Sequence, residues 1–172
     1  AFQHVYLGSA AVFTEQLVLG SAEVIDGFAC YGIGLVAISI ATARRAVDRA
    51  REYSLNRRQG GALIGEHDAV AELLANSENS IATAEAMLDR AVALEPGIDR
   101  LHLVWRMRAE VQPLLSRAGS DALQVFGGIG YMRDVGPERD QRDLNSLRRI
   151  GGSPTELTLR CAALDDHKRS SR

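Results

Sequence analysis

"DALQVFGGIGYMRDVGPERDQRD" occupies Asp121–Asp143. An apolar helical run stops at two adjacent glycines, Gly127 and Gly128. A third glycine and a tyrosine follow, and then charges of both signs alternate as far as Asp143. Glycine caps a helix readily, because it reaches the left-handed backbone region without a Cβ clash. It also leaves backbone N–H groups bare, so a phosphate can approach closely. The stretch fits neither the dinucleotide fingerprint nor the phosphate-binding loop, and no strand is predicted before it. The charged run reads first as a solvated helix face. Glu138 and Arg142 stand one turn apart in the favourable order, and Arg139 and Asp143 pair in the reverse order.

Working outward, helical periodicity dominates. Ile33, Val36, Ile40, Ala43, Val47, Ala50 and Ser54 trace one stripe from about Asp26 onward, and that helix is predicted to end before Gly60 and Gly61. Its first half, "FACYGIGLVAISIATA" (Phe28–Ala43), carries no charge and is expected to be buried on all sides. The run is short of the ~20 apolar residues that cross a bilayer comfortably, so a membrane role is not expected. A second helix fits Glu66 to about Leu94, with Val70, Leu74, Ser77, Ile81, Ala84, Leu88 and Ala91 as its seam; Pro96-Gly97 breaks it. A third fits Asp99 to Phe126 through Leu101, Val104, Val111, Leu115, Ala118 and Ala122, with Arg108 the exception in the seam. Pro137 suits the first turn of a fourth. Ser153, Pro154 and Glu156 form a capping box that opens a fifth, and the tail "DHKRSSR" is expected to fray. Residues 1–25 alternate loosely and suggest two short extended segments. The predicted fold class is all-α: an antiparallel, four-helix-bundle-like domain over 26–166, a short extended or β segment at 1–25, and a polar tail at 167–172.

Bulk composition agrees. The 172 residues suffice for one domain with a sizeable core, and aromatics are only 5%. Such a mix favours helices packed through small and branched side chains. A net charge of −2 gives no reason to expect nucleic acid or an anionic membrane as partner. Cys30 and Cys161 lie far apart with no metal-like spacing; no metal site is expected, and a reducing, cytoplasmic setting is the default. The opening "AFQHVYLGSA" has no secretory pattern and does not look like a natural initiation region, so a piece of a longer polypeptide is expected.

Taken together, "YSLNRRQGG", "LIGEHDAVAELLA", "ATAEAMLDRA" and "ALQVFGGIGYMRDVGPERDQRDLNSLRRIGGSPTEL" resemble the C-terminal helical domain of an acyl-CoA dehydrogenase. The family's blocks run roughly Y-x-x-x-R-x-x-F-G, a helix start with His-Gln, Q-x-x-GG-x-G-Y, E-R-x-x-R-D and E-G-T. Their order holds from about Ile33 to Leu164, and residues 1–25 resemble the end of the family's middle β-domain. The resemblance implies FAD as cofactor, an acyl thioester as substrate, and homo- or hetero-oligomers built as a dimer of dimers. It implies that this domain contributes to tetramer assembly and to the FAD of a neighbouring subunit. Arg57 matches the arginine that reaches the FAD pyrophosphate, a task suited to the guanidinium fork. Gln59 matches a neighbouring FAD contact; Gln124, Gly127 and Gly128 match the segment against the ADP part. Ser153 and Thr155 match a polar pair near the FAD of the subunit's own site. Glu138, Arg139, Arg142 and Asp143 match a motif that ties the fourth helix to its neighbours.

Departures accompany the match. The family's commonest catalytic base is a glutamate where this chain has Gly151. The alternative position, on the first long helix, is Tyr31, followed by Gly32 in place of an arginine. Phenols ordinarily titrate near pH ~10 and are poor bases at neutral pH unless strongly shifted. The catalytic residue is therefore unassigned, with Asp26 or Glu23 as conceivable substitutes. Gln59 stands where Thr or Ser is common, Gly60 where an aromatic is common, and Asp68 replaces the glutamine of His-Gln. The implied function is that of the C-terminal portion of an FAD-dependent oxidoreductase, inactive alone. A non-catalytic assembly subunit of a heteromeric relative and a flavin monooxygenase on the same scaffold are the alternatives.

Overall fold

The computed structural model describes residues 22–132 and 134–170. Five α-helices follow one another: α1 (Ala22–Asn56), α2 (Asp68–Ala93), α3 (Ile98–Phe126), α4 (Pro137–Leu147) and α5 (Pro154–Ser170). Between α1 and α2 lies a small antiparallel hairpin, β1 (Arg58–Gln59) and β2 (Ala62–Leu63), then a 3₁₀ turn at Ile64–Glu66. A second 3₁₀ turn, Gly127–Tyr131, follows α3. The all-α reading holds, and the extended segments expected before residue 22 lie outside the described residues.

Helix α3 is the axis of the molecule, since α1, α2, α4 and α5 all pack on it. The reason is legible in its sequence: Leu101, Val104, Met107, Val111, Leu115, Ala118 and Ala122 are buried at helical spacing. Opposite them, α1 buries Ala29, Val36, Ala43, Ala46, Val47 and Ala50, and α2 buries Ile81, Ala84 and Ala91. Alanine on so many facing positions lets the helix axes come close, and dispersion contacts along the whole length then replace the bulk of large side chains. The predicted seams of all three long helices face this core, with Val70, Leu74 and Leu88 packed at its edge.

Several expectations are corrected. Residues 22–25, read as extended, form the first turn of α1. Gly60 and Gly61 do not cap α1, which ends at Asn56. They make the two-residue turn of the hairpin, with φ of +66° and +87°; two successive positive φ values are what a tight hairpin loop of this twist demands. The tail continues helix α5 through Ser170 instead of fraying, held on α3 by Lys168 to Asp99 at 2.5 Å and Arg106 to Asp165 at 2.6 Å. The first half of α1 is not buried all round. Phe28, Tyr31 and Ile38 are 44%, 49% and 55% exposed, because α1 meets its neighbours on one side only. With 35 residues and a best window of mean hydropathy 1.9, α1 is long and apolar enough to cross a membrane, and the membrane argument from shortness fails.

The charged stretch past Gly128 also works differently from expectation. Among the described residues, Glu138–Arg142 at 3.2 Å and Arg139–Asp143 at 3.9 Å pair along α4 itself, and Asp143 reaches α1 only through its field at Arg45. The tether is Asp140, 1% exposed, in the middle of that run. Its Oδ1 accepts hydrogen bonds from Arg45 Nη2 (2.5 Å) and Nε (3.1 Å), and its Oδ2 from Arg49 Nη1 (3.0 Å). One buried carboxylate thus anchors α4 to two arginines on α1. On the α3 side, Ser116 donates to Asn145 at 2.7 Å and Gln141 to Ser120 at 2.6 Å. Gly119 allows this approach, as a Cβ there would stand 2.5 Å from both Gln141 Oε1 and Leu144 Cδ1.

Two substitutions test this packing. Asp140→Ala leaves two arginines without their shared partner and is expected to destabilise the fold by about 2–3 kcal/mol, below the range for fully buried pairs because both arginines are half exposed. Gly119→Ala forces α3 and α4 apart at a cost of about 1–3 kcal/mol. Urea unfolding followed by circular dichroism checks both, with Arg139→Ala as a near-neutral comparison.

Candidate functional site

The C-terminal end of α1 and the C-terminal end of α3 meet side by side. Tyr53 and Phe126 stack there, with ring centroids 4.5 Å apart and planes inclined by 20°. One helical turn after Tyr53 the chain reaches Arg57, whose N–H still bonds to Tyr53 O at 2.9 Å. Directly after Phe126 comes Gly127, the cap of α3, with φ +58° and its N–H on Gln124 O. A β-carbon is disfavoured at that φ. The stack therefore brings the two terminal segments onto one open groove of about 570 Å³.

Arg57, Gln59 and Gly60 line one wall; Gln124, Gly127, Gly128 and Ile129 line the other; Tyr53, Phe126, Ile64 and Val70 form the floor, and His67 stands at the α2 end. Among the described residues, no carboxylate lines it. The arginines of α1 further up the helix are taken: Arg44 by Glu85, Arg45 and Arg49 by Asp140, Arg51 by Glu78. Among the described residues nothing engages the Arg57 guanidinium, which is exposed. Among the described residues, a Cβ at Gly127 or Gly128 would meet no atom within 4 Å. Bare backbone at these two positions is thus not explained by internal packing. At Gly130, by contrast, a Cβ would clash with Phe126 and Leu123. A cationic fork, amide side chains and bare backbone, without an acid, suit a phosphate-bearing ligand.

The hairpin is locked to the start of α2. His67 Nε2 lies 3.0 Å from Gln59 O. A carbonyl only accepts, so Nε2 carries the proton and Nδ1 is left as an acceptor in the neutral ring. Its ring also covers Gly60, whose Cβ position is 3.6 Å from His67 Cε1 and Nε2. Sequence reasoning noticed the histidine as part of a helix start and missed it as a groove residue; only the tight hairpin folds it back.

Of the seven candidate contacts, Arg57, Gln59, Gln124, Gly127 and Gly128 converge on the groove, while Ser153 and Thr155 do not. Ser153 caps α5: its N–H donates to Glu156 Oε2 at 2.7 Å, and its Oγ accepts from the Glu156 N–H at 3.3 Å. Thr155 is exposed in the first turn. A separate corner joins the two positions considered for a catalytic base. Tyr31 on α1 lies against Gly151 in the loop before α5, with no carboxylate on either residue. Asp26 is held by Arg100 at 3.2 Å and by the Cys30 thiol at 3.7 Å, and Glu23 is exposed. Among the described residues no group of His, Cys, Asp and Glu could hold a metal ion.

Comparison with known proteins places this architecture. The family model for the acyl-CoA dehydrogenase C-terminal domain matches residues 21–163. The chain belongs to that family and corresponds to its C-terminal helical domain. It is 33% identical over 112 residues to cyclohexane-1-carbonyl-CoA dehydrogenase of Geobacter metallireducens, covering 64% of this chain and 29% of the relative. Among solved structures, a putative acyl-CoA dehydrogenase from Mycobacterium smegmatis superposes with a TM-score of 0.78 at 27% identity, over 83% of this chain and 38% of the other. PigA, solved with FAD and proline, shares the fold with a TM-score of 0.73 at 21% identity, over 79% and 36% of the two chains. The chain spans about a third of the length of the curated relatives it matches.

The cap of α5 gives a pH prediction. Hydrogen bonds from Ser153, first its backbone N–H and then its hydroxyl, hold the Glu156 carboxyl below the usual range. The Lys168 hydrogen bond holds Asp99 below it at the other end of α5. A carboxyl depressed in the folded state stabilises above its unfolded pKa, and the contribution is lost as pH falls through the folded value. The NMR shifts of residues 154–158 are therefore expected to keep their helical values at neutral pH and lose them first below about pH 4. Glu156→Gln is expected to remove that transition from the first turn of α5.

Proposed function

We propose that this chain is the C-terminal portion of an FAD-dependent, acyl-CoA dehydrogenase-type oxidoreductase, and that its groove receives the adenosine-diphosphate end of the cofactor. The observation that carries this reading is the convergence of an unengaged Arg57 with Gln124 and the Gly127-Gly128 break on one acid-free groove. The arginine fork holds phosphate oxygens through parallel hydrogen bonds. The glycines admit the ligand to backbone distance, and His67 keeps the hairpin, and with it Gln59, in place. When bound, FAD supplies an acceptor for the hydride removed from an acyl thioester. This chain's share is to bind and orient one end of it.

The groove opens outward at the helix ends, so the FAD it serves is one held mainly by other domains, in a neighbouring protomer. The exposed apolar residues of α1, together with Leu55, Ile129, Tyr131 and Met132 beside the groove, supply surface for such an assembly. The absence of a carboxylate at Gly151 and Tyr31 favours, as a second reading, a non-catalytic assembly subunit that completes the FAD pocket of an active partner.

Arg57→Ala in the assembled flavoprotein is expected to weaken FAD binding by about 1.5–3 kcal/mol, with Arg57→Lys intermediate. Flavin-fluorescence titration of the apoprotein measures it. Unchanged affinity in Arg57→Ala would reduce Arg57 to a helix-end charge and remove the basis of the reading.

A further inference from the structure

Helix α5 joins the molecule differently from the other helices. Among the described residues, α1, α2 and α4 each pack on at least two helices, whereas α5 packs substantially on α3 alone. It also has little to bury. Of its described residues only Leu157 and Cys161 are buried, at 1% and 5% exposed, and both lie in its first half. Neither belongs to the main apolar cluster formed by α1, α2 and α3. The core is therefore complete without α5, and burial holds only the start of that helix in place.

Beyond Cys161 the bonds from α5 to α3 are ionic. Asp165 Oδ2 accepts from Arg106 Nη2 at 2.6 Å. Its Oδ1 stands 3.3 Å from His102 Nε2, without the geometry of a hydrogen bond. Lys168 Nζ donates to Asp99 Oδ1 at 2.5 Å. The Arg160 guanidinium lies over the Trp105 ring, 5.9 Å from its centroid. Asp99 is 80% exposed and Arg106 56%, so both pairs face water. Such pairs are weak, and salt screens them: the Debye length falls from ~10 Å at ~0.1 M to ~3 Å at ~1 M. Beneath this layer the Cys161 Sγ donates to His102 O at 3.8 Å, and burial pushes its thiol pKa up. A thiol held in this way is unreactive while the helix is docked.

We propose that α5, from Arg160 to its end at Ser170, is an ionic strap: Asp165–Arg106 and Lys168–Asp99 close it on α3 at low ionic strength, and high ionic strength releases it while the α1–α2–α3 core stays folded. Leu157 and the Ser153–Glu156 capping box hold the first turn, which serves as the hinge. Release takes Arg160 off Trp105 and uncovers His102 and the Cys161 thiol. The groove at the other end of α3 is untouched, since no residue of α5 lines it. Local openings of this kind run below the free energy of global unfolding in segments with few buried apolar contacts.

Thiol labelling tests this on the full chain. N-ethylmaleimide, an uncharged reagent, is applied at about 0.05 M and about 1 M NaCl, and mass spectrometry of the digested protein reads Cys161 and Cys30 separately. Cys30 is exposed and serves as the internal reference. Relative to Cys30, labelling of Cys161 is expected to rise about 10-fold at the higher salt, as two or three screened surface pairs allow. The fluorescence of Trp105, the single tryptophan, is expected to change in parallel, with far-UV ellipticity losing no more than α5 supplies. The Asp165→Asn, Lys168→Gln double variant is expected to label Cys161 at the high-salt rate in both conditions. A Cys161 rate equal in the two salts, a low-salt rate unchanged in the double variant, or labelling that appears only with loss of most helical ellipticity overturns the proposal.

Discussion

The stack of Tyr53 on Phe126 is the contact on which the candidate site depends. Each ring sits within one turn of the end of a long helix, and each helix end carries half of the groove. An offset aromatic pair contributes about 0.5–1.5 kcal/mol beyond its buried area. Its larger consequence is geometric. With the rings in contact, Arg57 and the Gly127-Gly128 break face the same space. Were they apart, the cation and the bare backbone would belong to different surfaces.

Behind that contact lies a core made of small residues. Alanines of α1, α2 and α3 face one another, so the helix axes approach closely and positions without room for a side chain recur where helices cross. A core of this kind holds little aromatic bulk, and polar anchors define how the shorter helices sit. Asp140 is the clearest: one buried carboxylate shared by two arginines of α1 fixes α4. Arg108 is the opposite case. It anchors a loop through backbone carbonyls and keeps an uncompensated charge, which is a poor arrangement for stability alone.

Family membership places the fold among acyl-CoA dehydrogenase C-terminal domains, and the departures of this chain take on physical meaning there. Gly60 and Gln59, which looked like losses at the cofactor wall, belong to a hairpin closed over by His67. Gly151 is not simply a missing glutamate, because the Tyr31 ring occupies the space its side chain would need.

The helices were legible in the sequence because periodicity is a local property: Val104, Val111, Leu115 and Ala118 announce a buried face whatever they pack against. The stop at Gly127 and the capping box at Ser153 were legible for the same reason, since each needs only three or four neighbouring residues. The hairpin was not, because Gly60-Gly61 serves a helix cap and a hairpin turn equally well, and only the docking of His67 on Gln59 decides between them. Nor was Asp140 distinguishable from Asp143 in an alternating charge run; burial against Arg45 and Arg49 made the difference. The sequence by itself determined the elements and the residue types available for a phosphate. The tertiary structure alone decided which of them share a groove and which charge stays unpaired, because those are relations between residues on different elements, far apart along the chain.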